Sequence, residues 1–218
     1  MKKIMFNDRY GLTRAVLEGR KTMTRRIIPP IVIDWNRRGI VTLPVSCFIG
    51  ETLFMDASAI LGRDFKYPAP AKYQPKFKAG EIVAVAQSYK KLNEDGFVPP
   101  EWLDHTCESS SGYNNKMFVR ADLMPERNLI RITNVRMERL QDISEDDCMR
   151  EGIYNWKDAP DCPDGQKNSK IELFGHDGSW DGFQTHRKAF AALIDKVSGK
   201  GTWESNPWVF VYEFELVK

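Results

Sequence analysis

RNLIRITNVRMERL, at residues 127–140, alternates apolar and polar side chains over the length of a long β-strand. WVFVYEFELV, at 208–217, alternates in the same way and carries aromatic side chains along one face. A period of two is typical of a strand that buries one face of a sheet. We therefore predict two long strands at these positions, with a bulge in the first and a turn at 205–207 before the second.

Shorter patterns add further strands around these two. FKAGEIVAVAQSY (77–89) has a turn at 79–80 followed by a β-branched strand through Val85. A short strand is predicted at 3–6, and 31–43 is typical of a hairpin. Because these strands are not joined by crossover helices, we expect an α+β protein built on a mostly antiparallel β-barrel with a few short helices.

Three helices are predicted from spacing and end signals. One lies within 13–21 and ends at Gly19, and a second begins after Ser144, where Asp147 would complete a capping box. The third, within 181–199, carries an apolar stripe at helical spacing. Its members are Phe183, Phe190, Leu193, Ile194 and Val197.

Long irregular segments interrupt these elements. Proline-rich or polar stretches without a clear period occupy about 44–79, 90–116 and 155–180. We interpret them as loop insertions. Since no linker or internal repeat separates the remaining elements, we expect a single domain over 1–218.

The net charge of +2 hides an uneven distribution. Residues 1–100 carry 17 Lys and Arg against 9 Asp and Glu, whereas residues 101–218 carry 15 against 21. A local basic region suits a small ligand or a short single strand better than a long duplex, which requires a broad basic face. No apolar run has the length of a membrane span, and we read no signal peptide, so we expect a protein of the bacterial cytosol without a membrane partner.

The spacing of the cysteines and histidines along the chain favours free thiols over a metal site. No CxxC pair occurs, and the residues are widely scattered along the chain, so neither zinc nor any other cofactor is expected. These residues are Cys47, Cys107, Cys148, Cys162, His105, His176 and His186.

Two further motifs are set aside. SGKGT (198–202) follows a helix rather than a strand, so it is typical of a helix end and not of a phosphate loop. The acidic segment 158–168 has a proline and a cysteine where calcium would need oxygen ligands. His186 lies next to the apolar helix stripe, which favours a packed side chain over a catalytic one.

GRKTMTRR (19–26) places four basic side chains beside two threonines. Two interpretations stay open: a solvated helix end with an exposed edge strand, or the wall of a pocket for an anionic ligand. Lys21 and Thr24 would lie on opposite faces of a regular strand, so a common site needs a bulge or turn just after Gly19. Arg26 shares a face with Thr24 and is able to bind a phosphate or base edge with two hydrogen bonds.

Four segments, in this order, resemble ASCH-domain proteins of the PUA-like superfamily: AVLEGRKTMTRR, FKAGEIVAVAQSY, RITNVRMERLQDISEDDCMREGI and GKGTWESNPWVFVYEF. The combination of GxKTxTxR, LxDISExDxxxEGI and a closing NPWV strand carries the resemblance, in particular to the longer ASCH proteins of phages and prophages. The similarity covers the core strands and two helices but not the three insertions.

The resemblance implies a small β-barrel that binds RNA, a nucleotide or a modified nucleoside in a basic cleft around Lys21–Arg26. Some small ASCH enzymes hydrolyse an acetyl amide on cytidine with a Lys, a Thr and a Glu, and these fall on Lys21, Thr24 and Glu151. Another ASCH protein has been described as a ribonuclease. A lysine beside a glutamate holds a hydroxyl or water, and a threonine hydroxyl attacks a carbonyl or donates to an oxyanion.

Three functions therefore stay open: binding alone, hydrolysis of acylated cytidine or RNA, and a phage protein–protein interaction module. Candidate ligand contacts are Arg20, Arg25, Arg26 and Tyr89. Glu151 also has a purely structural interpretation, as the carboxylate of a helix end before Gly152. The segment 86–89 reads Ala-Gln-Ser-Tyr where longer phage-type proteins often carry Arg-Glu-Thr-Trp, and loss of that charged pair favours binding without turnover.

Overall fold

The computed structural model describes residues 1–34, 40–96, 118–158, 174–176 and 182–217. Within these ranges the strands are β1 Lys2–Ile4, β2 Met23–Ile27, β3 Ile31–Asp34, β4 Ile40–Leu43, β5 Val45–Ile49, β6 Thr52–Asp56, β7 Lys66–Pro68, β8 Ile82–Val85, β9 Leu129–Arg139, β10 Tyr154–Asn155, β11 Phe174–Gly175 and β12 Trp208–Leu216. The α-helices are α1 Leu12–Leu17, α2 Ser58–Leu61, α3 Tyr89–Glu94, α4 Glu145–Arg150, α5 His186–Ser198 and α6 Thr202–Ser205. The α+β class predicted from the sequence is confirmed.

A five-stranded sheet in the order β1–β8–β9–β12–β2 forms the centre. The two long strands, β9 and β12, pair antiparallel over their whole length, as expected from their alternation. Their register shifts by one residue at Thr133, between the pairs Asn134–Glu213 and Ile132–Phe214, so the predicted bulge in β9 is confirmed. The pair β1–β8 is parallel and the other pairs of the central sheet are antiparallel, in keeping with the mostly antiparallel pairing that was expected.

The described sheets do not close into a barrel. Strands β1 and β2 lie at opposite ends of the central sheet, and no pairing joins them in the described part of the chain. The three-residue strand β1 is followed almost at once by a 3₁₀ turn and α1, so it offers no long edge for closure. The structure is an open sheet with smaller sheets and helices packed on it.

The segment 44–79, expected to be irregular, contains an antiparallel three-stranded sheet of β5, β6 and β7. That expectation was wrong because the prolines stand at strand ends: Pro44 precedes β5 and Pro68 ends β7. Leu53 and Phe77 of this segment pack in the same apolar cluster as Tyr212 of β12. The segment therefore contributes to the main core.

Other predictions for the connections are tested only in part. The hairpin of β3 and β4 is confirmed, with its turn outside the described residues. Helix α3 occupies the start of the predicted insertion at 90–116, and β10 and β11 form a short antiparallel pair at either end of 155–180. The remainder of both insertions lies outside the described residues, as does most of the acidic segment 158–168.

Helix α5 covers one face of the central sheet with the predicted apolar stripe. Phe190, Leu193 and Ile194 are buried, whereas Val197 is partly exposed. Phe183 lies before the helix and pairs with Phe174 in an isolated bridge, so it does not belong to the stripe. Gly199 ends the helix, the role expected for SGKGT. None of the helices in the described ranges is both long and apolar enough to span a membrane.

Candidate functional site

The junction between α1 and β2 brings the GRKTMTRR stretch into the protein interior. Helix α1 ends at Leu17, and Gly19 adopts a φ of +75°, a left-handed conformation that suits glycine. The N–H of Lys21 then donates to the carbonyl of Ala15 at 2.9 Å, and β2 begins only at Met23. Lys21 therefore precedes the strand, so the predicted turn between Gly19 and the strand is confirmed.

A cavity of about 260 Å³ lies along the outer edge of β2, which is the last strand of the central sheet. Its polar wall consists of side chains from the junction, from β2 and from the end of α4: Lys21, Thr24, Arg25, Arg26 and Glu151. Its apolar wall comes from the segment after β1 and from α5, and includes Phe6, Leu12, Phe190, Leu193 and Ile194. The cavity thus unites residues from both ends of the chain.

Lys21 and Glu151 form a buried ion pair in the wall of this cavity. The Lys21 ammonium donates to Glu151 Oε2 at 2.5 Å and to the Glu151 carbonyl at 2.7 Å, and the two side chains are only 2% and 5% exposed. Burial lowers the pKa of Lys21, while the Glu151 carboxylate opposes this effect. An ammonium has three N–H donors, so one is not used in these two bonds.

Gly152 fixes the position of Glu151 at the end of α4. Its φ of +99° is unfavourable for residues with a Cβ, and a Cβ placed there would lie 3.7 Å from Cβ of Lys21. Ser144 caps the start of the same helix by accepting from the N–H of Asp147 at 3.1 Å, as predicted. The Asp147 carboxylate bonds to arginines instead of completing the capping box.

Arg25 is surrounded by acceptors. Its Nε–H and one N–H of Nη2 donate to Glu138 at 2.9 and 2.6 Å, and Nη2 also donates to Asp147 at 2.7 Å. Nη1 donates to Glu151 Oε1 at 3.1 Å and to the Met23 sulfur at 3.2 Å. A guanidinium has five N–H donors, and all five are used here. Arg25 therefore has no N–H donor left for the ligand contact that was predicted from the sequence.

A chain of alternating charges continues from Arg25 towards the surface. Asp147 accepts from Arg136 at 2.7 Å, Arg136 also pairs with Glu213, and Glu213 accepts from Arg150 at 2.8 Å. In the buried part, each cation faces a carboxylate. The basic stretch predicted from the sequence is therefore partly neutralised. Lys21 and Arg25 pair with Glu138 of β9, Asp147 of α4 and Glu151 at its end, and Arg20 pairs with Glu18.

Thr24 and Arg26 lie on the other face of β2, opposite Tyr212 and Phe210 of β12, so their predicted common face is confirmed. Thr24 is buried and lines the cavity; its hydroxyl has no hydrogen-bond partner among the described residues. The Arg26 guanidinium donates to the Met5 carbonyl and lies 5.6 Å from the centre of the Phe6 ring. Burial lowers its pKa, and no carboxylate in the described ranges forms an ion pair with it.

Two predicted ligand contacts lie away from the cavity. The guanidinium of Arg20 donates to Glu18 at 2.6 and 2.9 Å and stacks over Tyr154. Tyr89 begins α3 and packs against a separate apolar cluster that contains Leu92. Neither side chain lines the cavity.

Sequence reasoning missed three of the side chains that build the site. Phe6 supplies an aromatic wall, and Glu138 and Asp147 hold Arg25 in place. One signal was available: Asp147 and Glu151 are four residues apart, which places both carboxylates on one face of a helix. Nothing in the local pattern points to Phe6 or Glu138, because their positions depend on the packing of distant segments.

His186 occupies a packed position, as expected. Its ring lies 3.9 Å from the ring of Phe174, and Nδ1 is 2.9 Å from a carboxylate oxygen of Glu145. Among the described residues, no group of three or more His, Cys, Asp or Glu side chains is arranged to hold a metal ion.

The fold and site together define an α+β protein with a small, mostly apolar cavity and a buried Lys–Glu–Arg cluster in its wall. Comparison of the chain with models of protein families, with curated proteins and with solved structures finds no match.

Proposed function

We propose that this cavity binds a ligand the size of a nucleoside. One observation carries the proposal: Lys21, Thr24 and Glu151, on which the ASCH resemblance places the reactive residues, line a single cavity although Lys21 and Glu151 are 130 positions apart. A resemblance in three short segments would not by itself place these side chains together. Their common location supports a site that uses all three.

The size and charge of the cavity favour a nucleoside over an RNA strand. Cavities for drug-sized ligands have volumes of roughly 300–1,000 Å³, so a cavity of about 260 Å³ suits a base or nucleoside. Lys21 and Arg25 are already paired with carboxylates, so they release few counterions on binding a polyanion. The rings of Phe6 and Phe190 offer apolar contact to a base.

A second candidate function is hydrolysis of an acyl amide on such a nucleoside. Lys21 and Thr24 both line the cavity, which favours this reaction. In its neutral form Lys21 accepts the Thr24 proton while Oγ1 attacks the acyl carbon. The amine then leaves with that proton, and water hydrolyses the resulting ester to release the acid. The lowered pKa of Lys21 increases its neutral fraction.

The direct experiment is incubation of the protein with N4-acetylcytidine, followed by chromatography for cytidine and acetate and by calorimetry for binding. The variants Lys21→Met and Thr24→Val should lower turnover by roughly 10²-fold or more. Arg14→Gln removes an exposed cation of α1 and should have no effect. Binding without turnover in the wild type would exclude the hydrolase and retain the binding protein.

Absence of both binding and turnover, with nucleosides as well as short RNA, would contradict the proposed function. The PUA-like assignment within the α+β class is also proposed on the resemblance, since the open sheet of the described residues is not a barrel. The scattered cysteines support a reducing cytosol as the location.

A further inference from the structure

Arg25 lies at the centre of the charged cluster, yet it has no free donor for a ligand. Its side chain is 1% exposed and its five N–H groups are bound to Glu138, Asp147, Glu151 and Met23. A fully bound guanidinium with this little exposure acts on its neighbours rather than on a ligand. Its hydrogen bonds identify the neighbour whose position depends on it.

The two oxygens of Glu151 have different partners. Oε1 accepts from Arg25 at 3.1 Å, and Oε2 accepts from Lys21 at 2.5 Å. A carboxylate bound by one cation alone rotates freely to share both oxygens with it. Here the guanidinium is fixed by Glu138 of β9 and Asp147 of α4, so the carboxylate plane of Glu151 is fixed as well.

We propose that Arg25 is the positioning residue of the site: clamped by Glu138 and Asp147, it holds Glu151 Oε1, so that Oε2 is directed to Lys21 and the Lys21 ammonium is kept at the cavity wall. The inference rests on the proposed function only in taking Lys21 and Glu151 as parts of the ligand site. The arrangement itself is defined by the hydrogen bonds of Arg25.

The arrangement has an electrostatic consequence for Lys21. The charged groups near it are Glu151 at the end of α4 and Arg25 and Arg26 of β2, whereas α5 and the segment after β1 contribute only uncharged side chains to the cavity. Burial lowers the pKa of Lys21, the carboxylate raises it, and repulsion from Arg26 and Arg25 lowers it further. Without Arg25, Lys21 loses a repulsive neighbour and gains the undivided charge of Glu151.

The test is a pH titration of the Lys21 ammonium by NMR in protein with ¹³Cε-labelled lysine, with Lys21→Arg identifying the signal. The wild type should titrate below the ordinary lysine range. Arg25→Met should raise the midpoint, because a nearby like charge is removed and Glu151 is left to Lys21 alone. Arg25→Met leaves three carboxylates close together without their common cation, which destabilises the fold. The double variant Arg25→Met with Glu138→Gln removes one of these charges and is measured in the same way.

Arg136→Met is the matched control. Arg136 contacts Glu138 and Asp147 but makes no hydrogen bond to Glu151, so its removal disturbs the cluster without releasing Glu151. It should leave the Lys21 midpoint unchanged. The proposal is overturned if the folded Arg25 variants titrate like the wild type, or if Arg136→Met shifts Lys21 as much as they do. This readout needs no ligand, so failure of nucleoside binding would refute the proposed function alone.

Discussion

The two faces of the central sheet differ in the side chains that pack on them. On one face, Phe210, Tyr212 and Phe214 of β12 pack with apolar side chains of β6, β8 and the 44–79 segment. On the other face, Val209 and Val211 share the surface with a row of ion pairs that runs from Lys21 and Glu151 outwards. The same strands therefore carry an apolar core alone on one side, and on the other side an apolar cluster beside a buried charged cluster.

The difference separates stability from the candidate site. Burial of apolar surface stabilises the fold by about 25 cal/mol per Å². Buried ion pairs lose hydration, so they add little net stability even when their geometry is good, although removal of one partner is costly. A chain that needed only stability would have apolar residues in place of these ion pairs. We infer that the charged face is retained for the chemistry of the cavity.

The largest effect is expected for Glu151→Gln, which removes the common partner of Lys21 and Arg25. Breaking a buried ion pair costs about 3–5 kcal/mol, and the glutamine amide would also turn donors towards one of the two cations. Urea unfolding and nucleoside calorimetry should show loss of both stability and binding. Glu145→Gln, on the exposed side of the same helix, should lose little of either. If the two variants lost stability and nucleoside binding to the same extent, the buried ion pairs would have no special role at the cavity.

A smaller effect is expected for Gly152→Ala. The φ of +99° is unfavourable for alanine, which should cost about 1–3 kcal/mol. A shift of the backbone here also displaces Glu151 from Lys21. Gly80→Ala is a matched control, because Gly80 has a φ of +82° and a Cβ added there would meet no atom within 4 Å. Both variants should lose stability, but only Gly152→Ala should weaken nucleoside binding; weakening by both would point to a general effect of strain.

On the apolar face, Ile132→Val should cost about 0.5–1.5 kcal/mol by leaving a small void in the core. Ile132 is fully buried in the cluster opposite the charged face. Since Ile132 does not line the cavity, the affinity for nucleosides should stay at the wild-type value, measured by calorimetry on the same samples. A loss of affinity as large as that of Gly152→Ala would show that the two faces are coupled.

The smallest effect concerns Cys148, which is buried beneath the charged face. Burial, reinforced by the nearby Glu145 carboxylate, raises the pKa of its thiol to about 12. The folded protein keeps this proton while an unfolded chain loses it near pH 8.5, so the residue's contribution to stability falls as the pH rises from about 8.5 to 12. Alkylation at pH 8 followed by mass spectrometry should modify the half-buried Cys47 before Cys148. Rapid alkylation of native Cys148 would contradict the burial.

The sequence predicts the local backbone features of the site better than the contacts between its side chains. Gly19, the helix before it and the shared face of Thr24 and Arg26 follow from spacing and backbone preference, and the structure has them. The partners of Arg25 cannot be predicted in this way, because Glu138 and Asp147 contact Arg25 only after β9 and α4 have packed. The sheet of β5 to β7 was missed because its strands are short and prolines stand just before β5 and at the end of β7. Tyr89 was misplaced relative to the cavity because α3 packs on a different cluster.

The central claim is that a nucleoside binds at the cavity along β2. The most direct test is ¹⁵N-edited NMR of the wild-type protein titrated with N4-acetylcytidine and with cytidine. We expect the largest chemical-shift changes at Phe6, Thr24, Arg26 and Ile194, which line the cavity, and none at Tyr89 or Arg20. Changes centred on Tyr89 or Arg20, with the cavity residues unaffected, would contradict it.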